Sequence, residues 1–508
     1  MLTRRRFLLS AATAPAFSLY AQEPSATTTT PKPDTPKPAD QAACEDTLPP
    51  SLLELKDRTK DIVPIDVHER ETRLDLARAL MKQYGIDAIL VTTGASLRYF
   101  TGINWGQSER LFCWVLPQSA APVMVCPYME RDRLSDLIMP QAEGDAQPHT
   151  VLPERQTTLF YLWQENEDPF DILKRALAEV DVNTGTLGIE EHTAFGFVTA
   201  IGHAAPALKL VSATPVTAGC RSIKSPAEIA LMRLANHITF DVYKAAYLAC
   251  APGDTNHRFE DLVNKGYARS GVHGEVSCNV GVNSAIPHGS PHPQVIREGE
   301  MILIDDGCQV DGYWSDISRS FVYGKPTDFQ RTIFEIVHNA QAAALGAAGP
   351  GVPMEVPDAA ARQVMRDAKY GAGYEYFTHR LGHGMGLDMH EWPYLVQGNK
   401  QKMIAGMVFS DEPGLYLKDK FGIRLEDDML ITDKGAELFL WQSPSLQDPF
   451  AIPAVLPQKN TKDTKDTIPD TTPSNNPSTT PNPGAPGPSR DPGSAQPPAP
   501  PAGTKPQP

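Results

Sequence analysis

From Glu69 onward, Leu74, Ala77, Leu80, Met81 and Tyr84 recur at helical spacing and Gly85 supplies a stop, which predicts a helix ending there. The apolar runs at 86–91, 112–116 and 123–126 are short and continuous, so they read as buried strands able to pair as a meander. Asp168-Pro169 opens another helix with an N-cap and a first-turn proline, carrying Leu173, Ala176, Leu177 and Val180. Runs at 187–189 and 208–211 are further strands. This alternation predicts an α/β domain over 56–218.

The pattern changes after Cys220. Ser225-Pro226-Ala227-Glu228 is a capping box that starts a helix through Ile229, Met232, Ala235, Ile238, Val242 and Ala246. A second helix is expected over 256–269. Thr327 to Gln330 forms another box, leading a helix through Ile333, Ile336, Val337, Ala340 and Ala344, and a fourth helix is expected over 357–370. Strand-like runs at 300–306, 313–323, 407–411 and 423–432 complete an α+β domain over 219–445.

The chain has 508 residues and a net charge of -15, room for two or three domains and a poor match to nucleic acid as a partner. Its seven Cys stand singly, mostly in apolar runs, and read as buried thiols rather than a disulfide framework. Thr3-Arg4-Arg5-Arg6-Phe7-Leu8-Leu9 and the apolar run behind it look like a bacterial twin-arginine export signal over 1–21, with Leu9 where a Lys is usual. An ordinary secretory signal is the alternative, and cleavage is expected after Ala21 or Ala16. That apolar run is too short for a transmembrane anchor, so a periplasmic or secreted protein, not an integral membrane protein, is expected. The Thr/Pro-rich segment 22–55 reads as a flexible linker and 446–508 as a disordered Pro-rich tail.

Residues 379–390, His-Arg-Leu-Gly-His-Gly-Met-Gly-Leu-Asp-Met-His, hold three histidines. Glycine at every second position argues against a helix, and Arg380 stands where an HExxH zinc protease needs Glu. In an extended segment His379 and His383 point to one side, and the glycines allow close approach. Taken singly, each His fits an ordinary core histidine. The acids nearby change that. Asp311-Gly312 is a hairpin signal that sets Asp305 opposite Ser318, with Asp316 diagonal to Asp305 at roughly 7–8 Å. Asp306 points the other way, and alternation does not decide which of the two is a ligand. Glu412 ends one strand; Arg424 and Glu426 share a face of the next, with Asp411, Asp427 and Asp428 adjoining. Buried acids in such number need metals or partners. An oxygen-rich set with one imidazole favours two divalent cations, Mn²⁺ first, with Co²⁺, Fe²⁺ or Zn²⁺ admissible.

In order and spacing, Ile304-Asp305-Asp306-Gly307, the run from Gly312 to Arg319, the 379–390 stretch, Glu412-Pro413-Gly414-Leu415-Tyr416 and the run from Gly422 to Asp428 resemble the metal-dependent Xaa-Pro peptidases, aminopeptidase P and prolidase. Arg73, Tyr99-Phe100-Thr101-Gly102 and Glu109-Arg110 make 56–218 similar to that family's creatinase-like N-terminal domain. The resemblance implies a pita-bread catalytic domain behind an α/β creatinase-like domain. It implies metal ligands at Asp305, Asp316, His383, Glu412 and Glu426, the second Asp and last Glu bridging both ions, and substrate or transition-state contacts from His288, His379, His390 and Arg424. The implied chemistry is attack by a bridging hydroxide on a metal-polarised carbonyl, with Glu412 taking the proton and His390 supporting the oxyanion. Substrates would be peptides with proline in second position, and a homodimer is expected.

One departure bears on specificity. Prolidases carry an Arg before the 407–411 strand for the dipeptide carboxylate; Gly398, Lys400 and Lys402 stand here, so an aminopeptidase P-like enzyme is expected rather than a strict dipeptidase. Tyr313, Trp314, Trp392 and Tyr394 are available as a wall for the proline ring. Two other classes stay open: a pita-bread hydrolase or lyase for a small non-peptide molecule, and a metal-free binding homologue, against which the filled ligand positions argue.

Overall fold

The computed structural model describes residues 48–138, 152–154, 157–371 and 373–452; the expected signal peptide, Cys44 and most of the linker and tail lie outside them. The N-terminal half is built on a mixed sheet of β1 (Ala88–Val91), β2 (Cys113–Pro117), β3 (Val123–Pro127), β4 (Leu159–Trp163), β5 (Gly185–Ile189) and β6 (Leu208–Ser212), in the order β4-β3-β2-β1-β5-β6. β1, β2 and β3 form the expected antiparallel meander, while β4, β5 and β6 join in parallel. Ile89, Val91 and Trp114 pack with Leu74, Ala77 and Met81 on one face; Ala88, Leu90 and Val115 pack with Leu173, Ala176 and Leu177 on the other. A strand covered on both faces reads as an unbroken apolar run, which is what the sequence shows. The first long helix, Val67–Tyr84, begins where the Asp66 side chain accepts from the Glu69 N–H and ends at Gly85 with φ 65°.

The C-terminal half contains β7 (His273–Gly274), β8 (Ser277–Val280), β9 (Met301–Asp305), β10 (Cys308–Val310), β11 (Tyr313–Trp314) and β12 (Arg319–Val322). After them come β13 (Gly382–Gly384), β14 (Glu391–Leu395), β15 (Val408–Asp411), β16 (Gly414–Leu417), β17 (Phe421–Arg424), β18 (Asp427–Thr432) and β19 (Gly435–Leu438). The largest sheet runs β14-β13-β15-β18-β19, beside β12-β9-β8, β11-β10-β7 and the pair β16-β17. Two helix pairs cover them: Pro226–Ala249 with Asn256–Arg269, and Asp328–Ala347 with Glu355–Asp367. Both capping boxes are formed, at Ser225 and at Thr327. Among the described residues, no helix is long and apolar enough to cross a membrane.

Four details differ from expectation, each for a local reason. The run 313–323 is two strands, because Asp306 takes a positive φ of 84° and Gly307 lies where a Cβ would come within 2.1 Å of the Ser315 carbonyl. The run 423–432 is split between two sheets, β17 pairing with β16 and β18 with β15. At the ends, Leu52 is fully buried against the 226–249 helix, and Leu446 and Phe450 are buried in the C-terminal cores. Residues 48–55 and 446–452 therefore belong to the fold, not to linker and tail. The six described cysteines are free and buried.

Candidate metal centre

The acids converge where strands leave their ladders. Asp311 and Gly312 both have positive φ, the requirement of a tight hairpin turn, and β9 pairs with β12 as Ile304 with Arg319, the register that sets Asp305 against Ser318. Asp305 closes β9, Asp316 lies in the irregular stretch before β12, Glu412 follows β15, and Glu426 sits between β17 and β18. One carboxylate oxygen from each of Asp305, Asp316 and Glu426 lies within 4.8 Å of the others. His383, central in β13, turns Nδ1 to the Gly384 carbonyl at 3.0 Å, so the N–H belongs there and Nε2 presents its lone pair. That Nε2 is 3.4 Å from Glu412 and 3.7 Å from Asp316. The glycines around it serve close strand packing: a Cβ on Gly382 would come within 1.9 Å of the Ser410 carbonyl.

These acids are short of positive charge. Burial, then Asp305 and other acids, push the Asp316 carboxyl far above its ordinary range; burial, then Asp316, do the same to Glu426. Burial lifts Glu412 to about 8 against the pull of Arg424. Asp305 alone is held low: burial raises it, but Arg424 and Ser318 outweigh that. The Ser318 hydroxyl has a single hydrogen, yet it contacts Asp305 closely and Glu426 at 2.6 Å while receiving the Arg424 Nε–H at 2.8 Å. That hydrogen is divided between two acids, and burial leaves Glu426 uncharged, holding a second proton. Cations seated among these oxygens would satisfy both, and the hard-oxygen, single-imidazole donor set suits divalent ions.

The other expected residues line the same cavity. Arg424 reaches Asp305 directly and gives Nη1–H to Tyr416 Oη at 2.9 Å. The Tyr416 hydroxyl in turn meets His379 Nε2 at 2.8 Å, while His379 Nδ1 faces the Arg380 carbonyl. Burial, then Arg424, depress His379 to about 3, so it is a neutral ring held at both nitrogens. His390 stands 4.1 Å from the His383 ring, exposed on the rim, and burial of part of its ring still lowers its pKa. His288 is exposed at the mouth beside Pro287.

The four aromatics expected as a wall are elsewhere. Tyr313 is tied to Arg73 and Glu228, Trp314 is core, and neither Trp392 nor Tyr394 lines the cavity; Pro287 and Met389 are its apolar surface. Lys400 and Lys402 are also outside it. Sequence reasoning missed Tyr416, Ser318 and Arg380, although all three lie in the quoted motifs. Arg380 lines the cavity with its guanidinium 4.0 Å over the Tyr394 ring. Asp306, left open beside Asp305, lines the cavity but is outside the ligand groups.

Residues 230–433 match the model of metallopeptidase family M24, and residues 73–223 match the creatinase/prolidase N-terminal domain. The chain is 31% identical over 379 residues to a probable dipeptidase PepE of Mycobacterium tuberculosis, covering 72% of this chain and 92% of that protein. It is 29% identical to an Xaa-Pro dipeptidase of Lactobacillus helveticus, covering 72% and 96%. The crystal structure of dipeptidase PepE from Mycobacterium ulcerans superposes with a TM-score of 0.69 at 29% identity, covering 76% of this chain and 99% of that one.

Proposed function

This chain belongs to metallopeptidase family M24, and from that membership we propose that it is an exported Xaa-Pro exopeptidase with two divalent cations, Mn²⁺ first among them, on Asp305, Asp316, His383, Glu412 and Glu426. The observation that carries this reading is the crowding of Asp305, Asp316 and Glu426 oxygens within 4.8 Å, closed by His383 and Glu412. When bound, such cations supply an activated water and polarise the scissile carbonyl. Glu412, which receives a hydrogen bond from the Ser410 hydroxyl at 3.2 Å and lies 3.4 Å from His383, is the group to hold the water's proton. Burial lowers the His390 pKa, which favours the neutral ring, and one ring N–H is available to donate to the developing oxyanion. Arg424 keeps Asp305 ionised and, through Tyr416, fixes His379. Proline in second position leaves no N–H at the scissile amide, so Pro287 and Met389 hold the ring instead of an acceptor holding a donor.

Lys400 and Lys402 lie outside the cavity, which supports cleavage of Xaa-Pro-Xaa peptides at least as well as Xaa-Pro dipeptides. A strict dipeptidase is the second reading, favoured by Arg380 on the cavity wall, where it would meet a carboxylate. Comparing kcat/KM of Mn²⁺-loaded protein on Xaa-Pro and Xaa-Pro-Xaa separates them. A tenfold or greater dipeptide preference that disappears in Arg380→Ala sinks the first. No release of an N-terminal residue from any Xaa-Pro peptide hands the site to the small-molecule hydrolase or lyase class.

Export is supported by Arg4-Arg5 and the apolar run after it. Mature protein should begin near Gln22, and Arg4→Lys with Arg5→Lys should leave precursor in the cytoplasm; Met1 at the terminus of exported protein would count against it. A homodimer is part of the same proposal, and light scattering tests it.

A further inference from the structure

We propose that Asp306 is the acceptor for the substrate's free α-ammonium group and so selects unblocked N-termini; this rests on the peptidase reading above. Asp306 is an L-residue at φ 84°, a conformation that side chains other than Gly, Asn and Asp seldom take. The backbone there is fastened: the Tyr243 hydroxyl shares its one hydrogen between the Asp305 and Asp306 carbonyls at 2.8 and 2.9 Å, and the Ile317 N–H donates to the Asp306 carbonyl at 3.1 Å. The side chain therefore leaves the strand at an angle that the β9 pleat would not give it, and it lines the cavity.

What it does there follows from its company. Asp305, not Asp306, is grouped with Asp316 and Glu426 at ligand distance. Among the described residues, no Lys, Arg or His nitrogen is recorded within 4.0 Å of the Asp306 carboxylate, whereas Arg424 is already committed to Asp305. Asp305 is its strongest charged neighbour, opposed by Arg424 and joined by Glu275, and the Ser277 side chain hydrogen-bonds to it. A carboxylate that lines a substrate cavity with no cation in contact is a site for one. The one cation that every peptide with a free N-terminal residue carries, whatever its side chains, is the α-ammonium. With Arg380 as the remaining cation on the wall, the cavity offers an acid for one end of a zwitterionic peptide and a base for the other.

The test compares metal-loaded wild type, Asp306→Asn and Asp306→Gly, both substitutions being compatible with the positive φ. The substrates are Phe-Pro and its desamino counterpart, 3-phenylpropanoyl-Pro. Wild type should prefer the free amine. Both variants should lose about 10- to 100-fold in kcat/KM on Phe-Pro, as expected for a charged hydrogen bond. The preference for the amine should shrink by the same factor, and metal per chain by elemental analysis should stay at the wild-type value. An unchanged amine preference overturns the inference alone. Loss of metal in both variants overturns it too, because Asp306 would then be a ligand. Failure of wild type on every Xaa-Pro peptide removes the peptidase reading and this inference together.

Discussion

Two clusters of buried acids lie within one short stretch of each other and behave oppositely. Along the seam between the N- and C-terminal halves, Glu391 is 2% exposed and meets Lys224 at 3.1 Å and Arg221 at 3.7 Å. Arg221 also reaches Asp388 at 3.0 Å and Glu191 at 3.2 Å. Burial pushes the Glu391 carboxyl up, but Lys224 and Arg221 overcome it and leave it below its ordinary range. In the cavity Arg424 acts on Asp305, Glu412 and Glu426, with Arg380 the only other guanidinium among the described residues of the wall, and burial wins at Asp316, Glu412 and Glu426. The supply of protein cations separates a seam that is electrostatically complete from a site that needs cations from outside. The two are also linked. Asp388 and Glu391 flank His390, and Tyr313, held by Arg73 at 3.1 Å and Glu228 at 2.9 Å, precedes Asp316 by three residues. The seam thus holds the loops that carry the site.

The largest effect should come from removing an acid shared by the incomplete cluster. Glu426→Ala should lose both metal ions and essentially all peptidase activity; elemental analysis finding wild-type metal would break the contrast. Next, His390→Ala should lower kcat roughly a hundredfold with metal retained, the loss expected for one oxyanion donor, read by steady-state kinetics alongside metal content. At the seam, Glu391→Ala leaves Lys224 and Arg221 buried without their shared partner and should cost about 3–5 kcal/mol of stability by denaturant titration. A cost under 1 kcal/mol would show that the seam is not the fastened region.

The smallest effect is one of pH. In metal-free protein Glu412 holds its proton up to about 8, against 4.5 in the unfolded chain, so the folded state binds more protons between those values. Stability must then fall as pH rises across that window. Glu391 has the opposite sign: its depressed pKa adds stability above the unfolded value, lost as pH falls through the folded one. Melting temperatures of metal-free protein should drop from pH 5 to pH 8, and Mn²⁺ loading should flatten the drop. A flat metal-free profile would mean that the cavity acids are not strained.

Much of the catalytic half was legible along the chain because its signals are short-range. Asp311-Gly312 dictated a turn, the turn set Asp305 against Ser318, and period two put Arg424 and Glu426 on the cavity side. Glycine at 382 and 384 announced close strand packing before the strands facing it were known. The three apolar runs of the first half announced the meander for the same reason.

What depends on distant segments meeting was not legible. Whether Asp305 or Asp306 joins the ligand group turns on a break in β9 imposed by Ser315 crossing Gly307. Tyr416 could not be placed beside both His379 and Arg424 without knowing how β16 sits, nor could Leu52 and Phe450 be counted as core without the helix and sheets that cover them. The sequence alone determined residue type, spacing and turn, which act over a few bonds. Only the tertiary structure decided which acid has a cation within 4 Å and which has none, because charge and burial are set by neighbours the chain brings from a hundred or more residues away.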